Sequence, residues 1–237
     1  MTDFQDLHHE QAIAAFDRGN LSESIEHFRK AIEQQPGNPD LHFNLAIVLD
    51  GNGEVNSAGA EFREALRLSP ADASMHLGLG AHFLKTEQWD RAVVSFQQAI
   101  QMRPGWPDAL TYMGIALGRK AKASRQNNDH RAYLDVVEQM LSLFPEQLLW
   151  RENRAWVLWK MNRRSEALAE AERLLSLEPT PRSYARLLHY QRRLGRWRDF
   201  SHTIGTMVHY TFRKAIRRVE WEQTVAGDTK EEDTKQK

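Results

Sequence analysis

The sequence predicts an all-α solenoid: about six helix-turn-helix units followed by one long C-terminal helix. Three observations carry that prediction. Prolines recur at a fixed period, with Pro36, Pro70 and Pro104 placed 34 residues apart, Pro145 following after 41 and Pro179 after another 34. Residue types recur in columns set against those prolines, Phe28, Phe62 and Phe96 eight residues before and Ala31, Ala65 and Ala99 five before. Past the last proline, Trp197, Phe200, Ile204, Val208, Thr211, Phe212, Ala215 and Val219 are spaced by threes and fours, the signature of one helix face.

Each column has a physical reason. Ser24, Ala58, Ala92 and Ala167 share one column, Leu45, Leu79 and Met113 a second, and Ala46, Gly80, Gly114 and Ala155 a third. Small residues let two helices of a pair approach closely, and the large phenylalanines fill the space between neighbouring pairs. Each proline lacks an amide hydrogen, so it ends the second helix of a unit. Within units, turns are expected at Gly19-Asn20, Gly51-Asn52-Gly53, Thr86-Glu87, Asn127-Asn128-Asp129 and Gly195.

This pattern resembles the tetratricopeptide repeat, a 34-residue helix-turn-helix motif. The resemblance covers roughly residues 5 to 212 and implies a right-handed superhelical solenoid. Units are expected at 5–38, 39–72, 73–106, 107–147, 148–180 and 181–212, forming one domain with a capping helix that ends near residue 225. The fourth unit carries seven extra residues around Lys120 to Asp129, expected in a longer first helix or its turn. The stripe from Trp197 onward is expected to cover the last unit's apolar face. Residues 226 to 237 hold Lys, Glu, Asp, Thr and Gln without apolar period and read as a disordered charged tail.

Composition narrows the function classes. With 41% hydrophobic and 27% charged residues the chain can bury a core and still dissolve in water. It has no cysteine, which excludes disulfides, thiolate-bound zinc and a cysteine nucleophile together. No stretch is apolar enough to span a membrane, and acids and histidines occupy the place of a signal peptide's basic region, so a cytoplasmic location is expected. Charge is unevenly distributed: residues 1 to 118 hold 8 Lys and Arg against 16 Asp and Glu, and residues 119 to 237 hold 24 against 16. One end is therefore acidic and the other basic.

No phosphate-cradling glycine loop, zinc-protease motif or nucleophile elbow occurs. No catalytic residue, metal site or cofactor is expected, and the chain reads as a non-enzyme. His8, His42 and His76 fall at the fourth position of successive units. They read either as a metal-binding or pH-sensing row or, the favoured reading, as rings packed between the helices of each unit.

A solenoid of helix pairs exposes a concave face lined by the first helix of each unit. The resemblance implies that unit positions 2, 5, 6, 9, 12 and 13 face it. These are Asp40, Phe43, Asn44 and Ile47 in the second unit, Leu77, Ala81 and Lys85 in the third, and Thr111, Tyr112, Ile115 and Arg119 in the fourth. The fifth gives Glu152, Asn153, Trp156, Trp159 and Lys160, and the sixth Arg182, Arg186, His189, Arg192 and Arg193. Asn44 and Asn153 stand where family members that bind extended peptides use asparagine, whose amide both donates and accepts. Trp156 and Trp159 read equally as groove contacts of the hot-spot kind or as packing between units, whereas Trp150 is expected in the core. The family's carboxylate clamp needs five residues, of which only Asn44 matches, so no chaperone-tail adaptor is expected.

The expected function is a non-catalytic scaffold that holds a protein partner, an extended peptide or a helix, in the groove. Position 13 runs Asp17, Gly51, Lys85, Arg119, Lys160, Arg193, which points to an acidic partner segment near the fifth and sixth units. The alternative is a nucleic-acid-binding repeat protein that uses the basic C-terminal half. Arg213, Lys214, Arg217 and Arg218 on the last helix read as a solvated face or as a contact with an anionic surface, nucleic acid or lipid.

Overall fold

A computed structural model describes residues 7–124, 126–211 and 213–214. Among them there are helices and turns and no strand. The chain divides into two compact units between Leu143 and Phe144, in the segment that Pro145 interrupts.

The first unit holds four helix pairs. They are α1 (Leu7–Asp17) with α2 (Leu21–Gln34), α3 (Pro39–Gly51) with α4 (Val55–Leu68), α5 (Ala73–Lys85) with α6 (Trp89–Met102), and α7 (Pro107–Ala123) with α8 (Asn127–Leu143). Each helix packs on the next, and the first helices also touch each other, α3 against α5 and α5 against α7. The second unit holds α9 (Leu148–Lys160) on α10 (Arg164–Leu177), then α11 (Pro181–Arg193) against α10. A twelfth helix, α12, spans 197–211 and continues over 213–214.

The expected columns form the core. Ala31, Ala58, Ala65, Ala92, Ala99 and Ala167 have no exposed surface, and Phe28, Phe62 and Phe96 have 2%, 3% and 0%. Gly80 shows why its column is small: a Cβ there would stand 2.5 Å from Phe96 Cε1. Pro39, Pro107 and Pro181 open α3, α7 and α11 at the first turn, where the missing amide hydrogen costs no helix bond. The turns α1–α2, α3–α4, α5–α6, α9–α10 and α11–α12 close on the left-handed residues Gly19, Gly53, Glu87, Asn162 and Gly195.

Three features differ from the sequence expectations. Asn127, Asn128 and Asp129 belong to the first turn of α8, not to a loop. The fourth pair's seven extra residues lengthen both helices, because α7 has 17 residues against 13 in α3 and α5, and α8 has 17 against 14 in α4 and α6. Finally, α12 is rotated from its expected phase. Thr203 is buried, Phe200, Met207 and Tyr210 are half-buried, and Trp197, Ile204 and Val208 are 59%, 37% and 57% exposed. Tyr210 sets the phase by packing on Tyr184 of α11 at a ring distance of 5.8 Å. Phe212, Ala215 and Val219 of the expected stripe, and the tail 226–237, lie outside the described residues.

Candidate functional site

In the first unit the first helices place one apolar row side by side. Spacings of three and four put Ile13 and Phe16 of α1, Phe43 and Ile47 of α3, Leu77 and Ala81 of α5, and Tyr112 and Ile115 of α7 on the same strip. Ile13, Phe16, Ile47, Tyr112 and Ile115 remain 38–43% exposed, and they lie along one strip, not scattered singly. Two hollows lie along the strip. One of about 180 Å³ is lined by Ile13, Phe16, Phe28, Asn44, Ile47 and Val48. The other, about 490 Å³, lies among Phe43, Ile47, Leu77, Gly78, Trp106 and Tyr112.

The hollows have a packed floor. Gly78 lets the Phe43 ring lie across α5, since a Cβ at that position would meet Phe43 Cε2 at 2.4 Å. Phe43 in turn meets Phe62 edge-on at 5.7 Å, and Tyr112 stacks on the buried Phe96 at 5.9 Å and 16°. One charged cluster sits at the edge: His82 Nδ1 lies 3.0 Å from Asp50 Oδ1, and Lys85 Nζ lies 3.4 Å from Asp50 Oδ2. Among the described residues the Asn44 side-chain amide has no hydrogen-bond partner, so its donors and acceptor are open to a ligand backbone. Arg119 is exposed at the far end of α7.

The expected site residues of the second unit are placed differently. Trp159 stacks on Tyr190 at 4.2 Å and 7°, with the Arg164 guanidinium 4.4 Å from its ring, and is taken up in packing between α9 and α11. Tyr190 Oη donates to the Ala155 carbonyl at 3.1 Å and fixes that stack. Arg186 donates to the Glu152 carbonyl at 2.7 Å, and the Glu152 carboxylate lies 3.5 Å from Arg186 and 2.9 Å from Arg182. Glu152 thus pairs with two of the cations expected to meet an acidic segment and offsets one of their two charges. Trp156 is half-buried with the Lys160 ammonium 5.9 Å from its ring. Asn153 is half-buried, and Arg193 and His189 are exposed. Partial desolvation of the ring, then the charges of Arg193 and Arg192, hold the His189 imidazole below its ordinary range. Trp150 is 2% exposed, in the core as expected. Arg213 and Lys214 are exposed, and Arg217 and Arg218 lie outside the described residues.

Two members of the histidine row, His8 and His42, bridge the helices of their pairs, and His76 contacts the backbone ahead of its own helix. His42 places Nδ1 2.6 Å from Glu61 and Nε2 3.2 Å from the Pro36 carbonyl, His76 reaches the Pro70 carbonyl at 3.0 Å, and His8 reaches His27 at 3.3 Å. His8–His27 and His42–Glu61 each join residues 19 apart, and so does Arg151–Glu170 in the second unit, at 2.9 Å. A polar clasp between the two helices of a pair therefore recurs, and the sequence columns of apolar residues gave no hint of it. Among the described residues no group of three His, Asp or Glu side chains is placed to hold a metal ion, and no helix is long and apolar enough to cross a membrane.

Comparison with known proteins agrees with this architecture. The family model for the tetratricopeptide repeat matches residues 9–73 and 44–109. MamA 41-end from Desulfovibrio magneticus RS-1 is similar at 17% identity, with 75% of this chain and 97% of that one covered and a TM-score of 0.64. YrrB, described as a TPR protein with an unusual peptide-binding site, is similar at 18% identity, with 77% and 89% covered and a TM-score of 0.59. PilF of Pseudomonas aeruginosa is similar at 19% identity, with 86% and 88% covered and a TM-score of 0.60. At such identities the likeness is one of fold. No curated protein sequence matches the chain.

Proposed function

We propose that this tetratricopeptide-repeat chain is a non-catalytic scaffold that holds a partner's helix or extended segment against the first helices of repeats 1 to 4. The carrying observation is the strip of half-exposed apolar side chains from Ile13 to Ile115, with the unpartnered Asn44 amide inside it. Apolar side chains of a partner would fill the two hollows, and Asn44 would hold its backbone. That YrrB is described as having a peptide-binding site supports the reading by analogy of fold. The Glu152 pairing of Arg182 and Arg186 moves the preferred site from repeats 5 and 6 to repeats 1 to 4. The acidic balance of residues 1 to 118 then favours a partner whose apolar residues are flanked by basic ones.

Selection of peptides from a randomised library against the full chain tests this. Selected sequences should be apolar with basic flanks. Tyr112→Ala and Ile47→Asp should each weaken them about tenfold or more, the range of a groove hot spot. Trp156→Ala and Arg186→Glu should leave them unchanged. Peptides insensitive to Tyr112→Ala and Ile47→Asp would sink the proposal.

A further inference from the structure

Each end of the described chain exposes side chains of a column that the other repeats bury. Nine residues after Gly19, Gly53, Glu87, Asn162 and Gly195, the left-handed residues of the turns within pairs, stand Phe28, Phe62, Phe96, Ala171 and Ile204. The first four are at most 3% exposed, and Ile204 is 37% exposed. The following repeat's first helix covers the earlier ones: Phe62 meets His82 at 5.6 Å, and Phe96 stacks on Tyr112. Over Ile204 and Val208 of α12, nothing among the described residues plays that part.

α1 shows the converse. Leu41, Met75 and Ala109 are equivalent first-helix positions 34 residues apart, all buried, and the same position in α1 is Leu7 at 41% exposure. Val48, His82 and Ala116 are likewise buried, and their equivalent, Ala14, is exposed. The small Ala14 suits close approach of a second helix. Around it stand exposed Glu10 and Asp17, with Arg18 after the helix end held by Glu23 at 3.0 Å, and flanking Ile204 and Val208 on α12 stand exposed Arg198, His209 and Lys214. The two surfaces therefore match in repeat register, in shape and in charge. Pairing α12 with α12 would instead bring basic residues against basic ones.

We infer that the chain associates head to tail with a second copy, α1 of one copy lying on α12 of the next as though it began a further repeat. The contact is heterologous, so it extends into chains or closes into rings. One helix pair buries less than the roughly 800 Å² per partner of a standard interface, so the association is weak and concentration-dependent.

Analytical ultracentrifugation of the full chain, with Ala14→Arg and Ile204→Arg variants, tests this. Both positions are exposed, and unchanged circular dichroism would verify the fold. The wild type should gain mass as concentration rises into the high micromolar range and lose it as salt rises. Each variant alone should remain monomeric, whereas an equal mixture should stop at a dimer, since it has one open α12 face and one open α1 face. A wild type that is monomeric throughout overturns the inference. So does self-association of Ala14→Arg alone, which would mark an α12–α12 contact, or a mixture that stays monomeric while the wild type associates.

Discussion

Gly80→Ala isolates the close helix contact on which the repeat depends. The added Cβ would stand 2.5 Å from Phe96 Cε1 and 2.6 Å from Cδ1. Carbon atoms prefer about 3.5–4.0 Å, so the ring must retreat by about an ångström. Phe96 has no exposed surface, and its face is stacked on Tyr112, which lines the proposed groove. Overpacking of this kind costs about 1–3 kcal/mol. Alanine regains up to about 1 kcal/mol over glycine inside a helix, so the net loss is up to about 2 kcal/mol. Gly51→Ala, in the last turn of α3 in the same unit, is the control, because its Cβ would meet only Leu21 Cδ1 at an ordinary 3.8 Å. Propensity acts in the same direction in both variants, so Gly80→Ala should be the less stable of the two by about 1–3 kcal/mol. Urea unfolding followed by circular dichroism measures the difference, and hydrogen exchange of the α5 and α6 amides measures it locally. Adding Phe96→Leu should remove much of it. Equal stability of the two alanine variants, or no relief from Phe96→Leu, would refute the packing argument.

Two further outcomes follow from polar contacts. Glu170 is 5% exposed and accepts from Arg151 at 2.9 Å and Arg154 at 2.7 Å; Glu170→Ala leaves the buried Arg151 unpaired and should cost about 3–5 kcal/mol in urea unfolding, with Glu170→Gln in between. The Ser124 hydroxyl first, and then the Lys120 ammonium 3.1 Å away, hold the Asp129 carboxyl below the ordinary carboxylate range. A depressed folded value stabilises the fold above the unfolded value of about 3.9 and is lost as pH falls through the folded one. Asp129→Asn should therefore be modestly less stable at neutral pH, and thermal melts of mutant and wild type should converge as the pH is lowered past that range.

Parts of the site were legible because they follow from register. The resemblance assigns Phe43, Asn44, Ile47 and Tyr112 to one face by their place in the repeat, and the structure puts them on α3 and α7, each packed against α5. Trp159 and Arg186 satisfy the same count, yet one is occupied by Tyr190 and the other by Glu152. Register gives the direction of a side chain and is silent on what already occupies it. Ile13 and Phe16 were equally available from the count, at positions 9 and 12 of the first repeat, but only their exposure marks them as groove. The phase of α12 escaped the count for a different reason: a period of three or four fits several adjacent stripes on one helix, and Tyr184 against Tyr210 selects among them.

The helical repeat, its small and aromatic columns and its breaks follow from local chemistry along the chain: a missing amide hydrogen, a missing side chain, an apolar period. Tertiary structure alone decided which ring fills which space and which charge meets which partner. It also decided that Ile204 and Leu7 remain in solvent where their counterparts in other repeats are covered. Burial depends on neighbours distant in the sequence, and a pattern that repeats every 34 residues is alike whether or not another helix lies beside it.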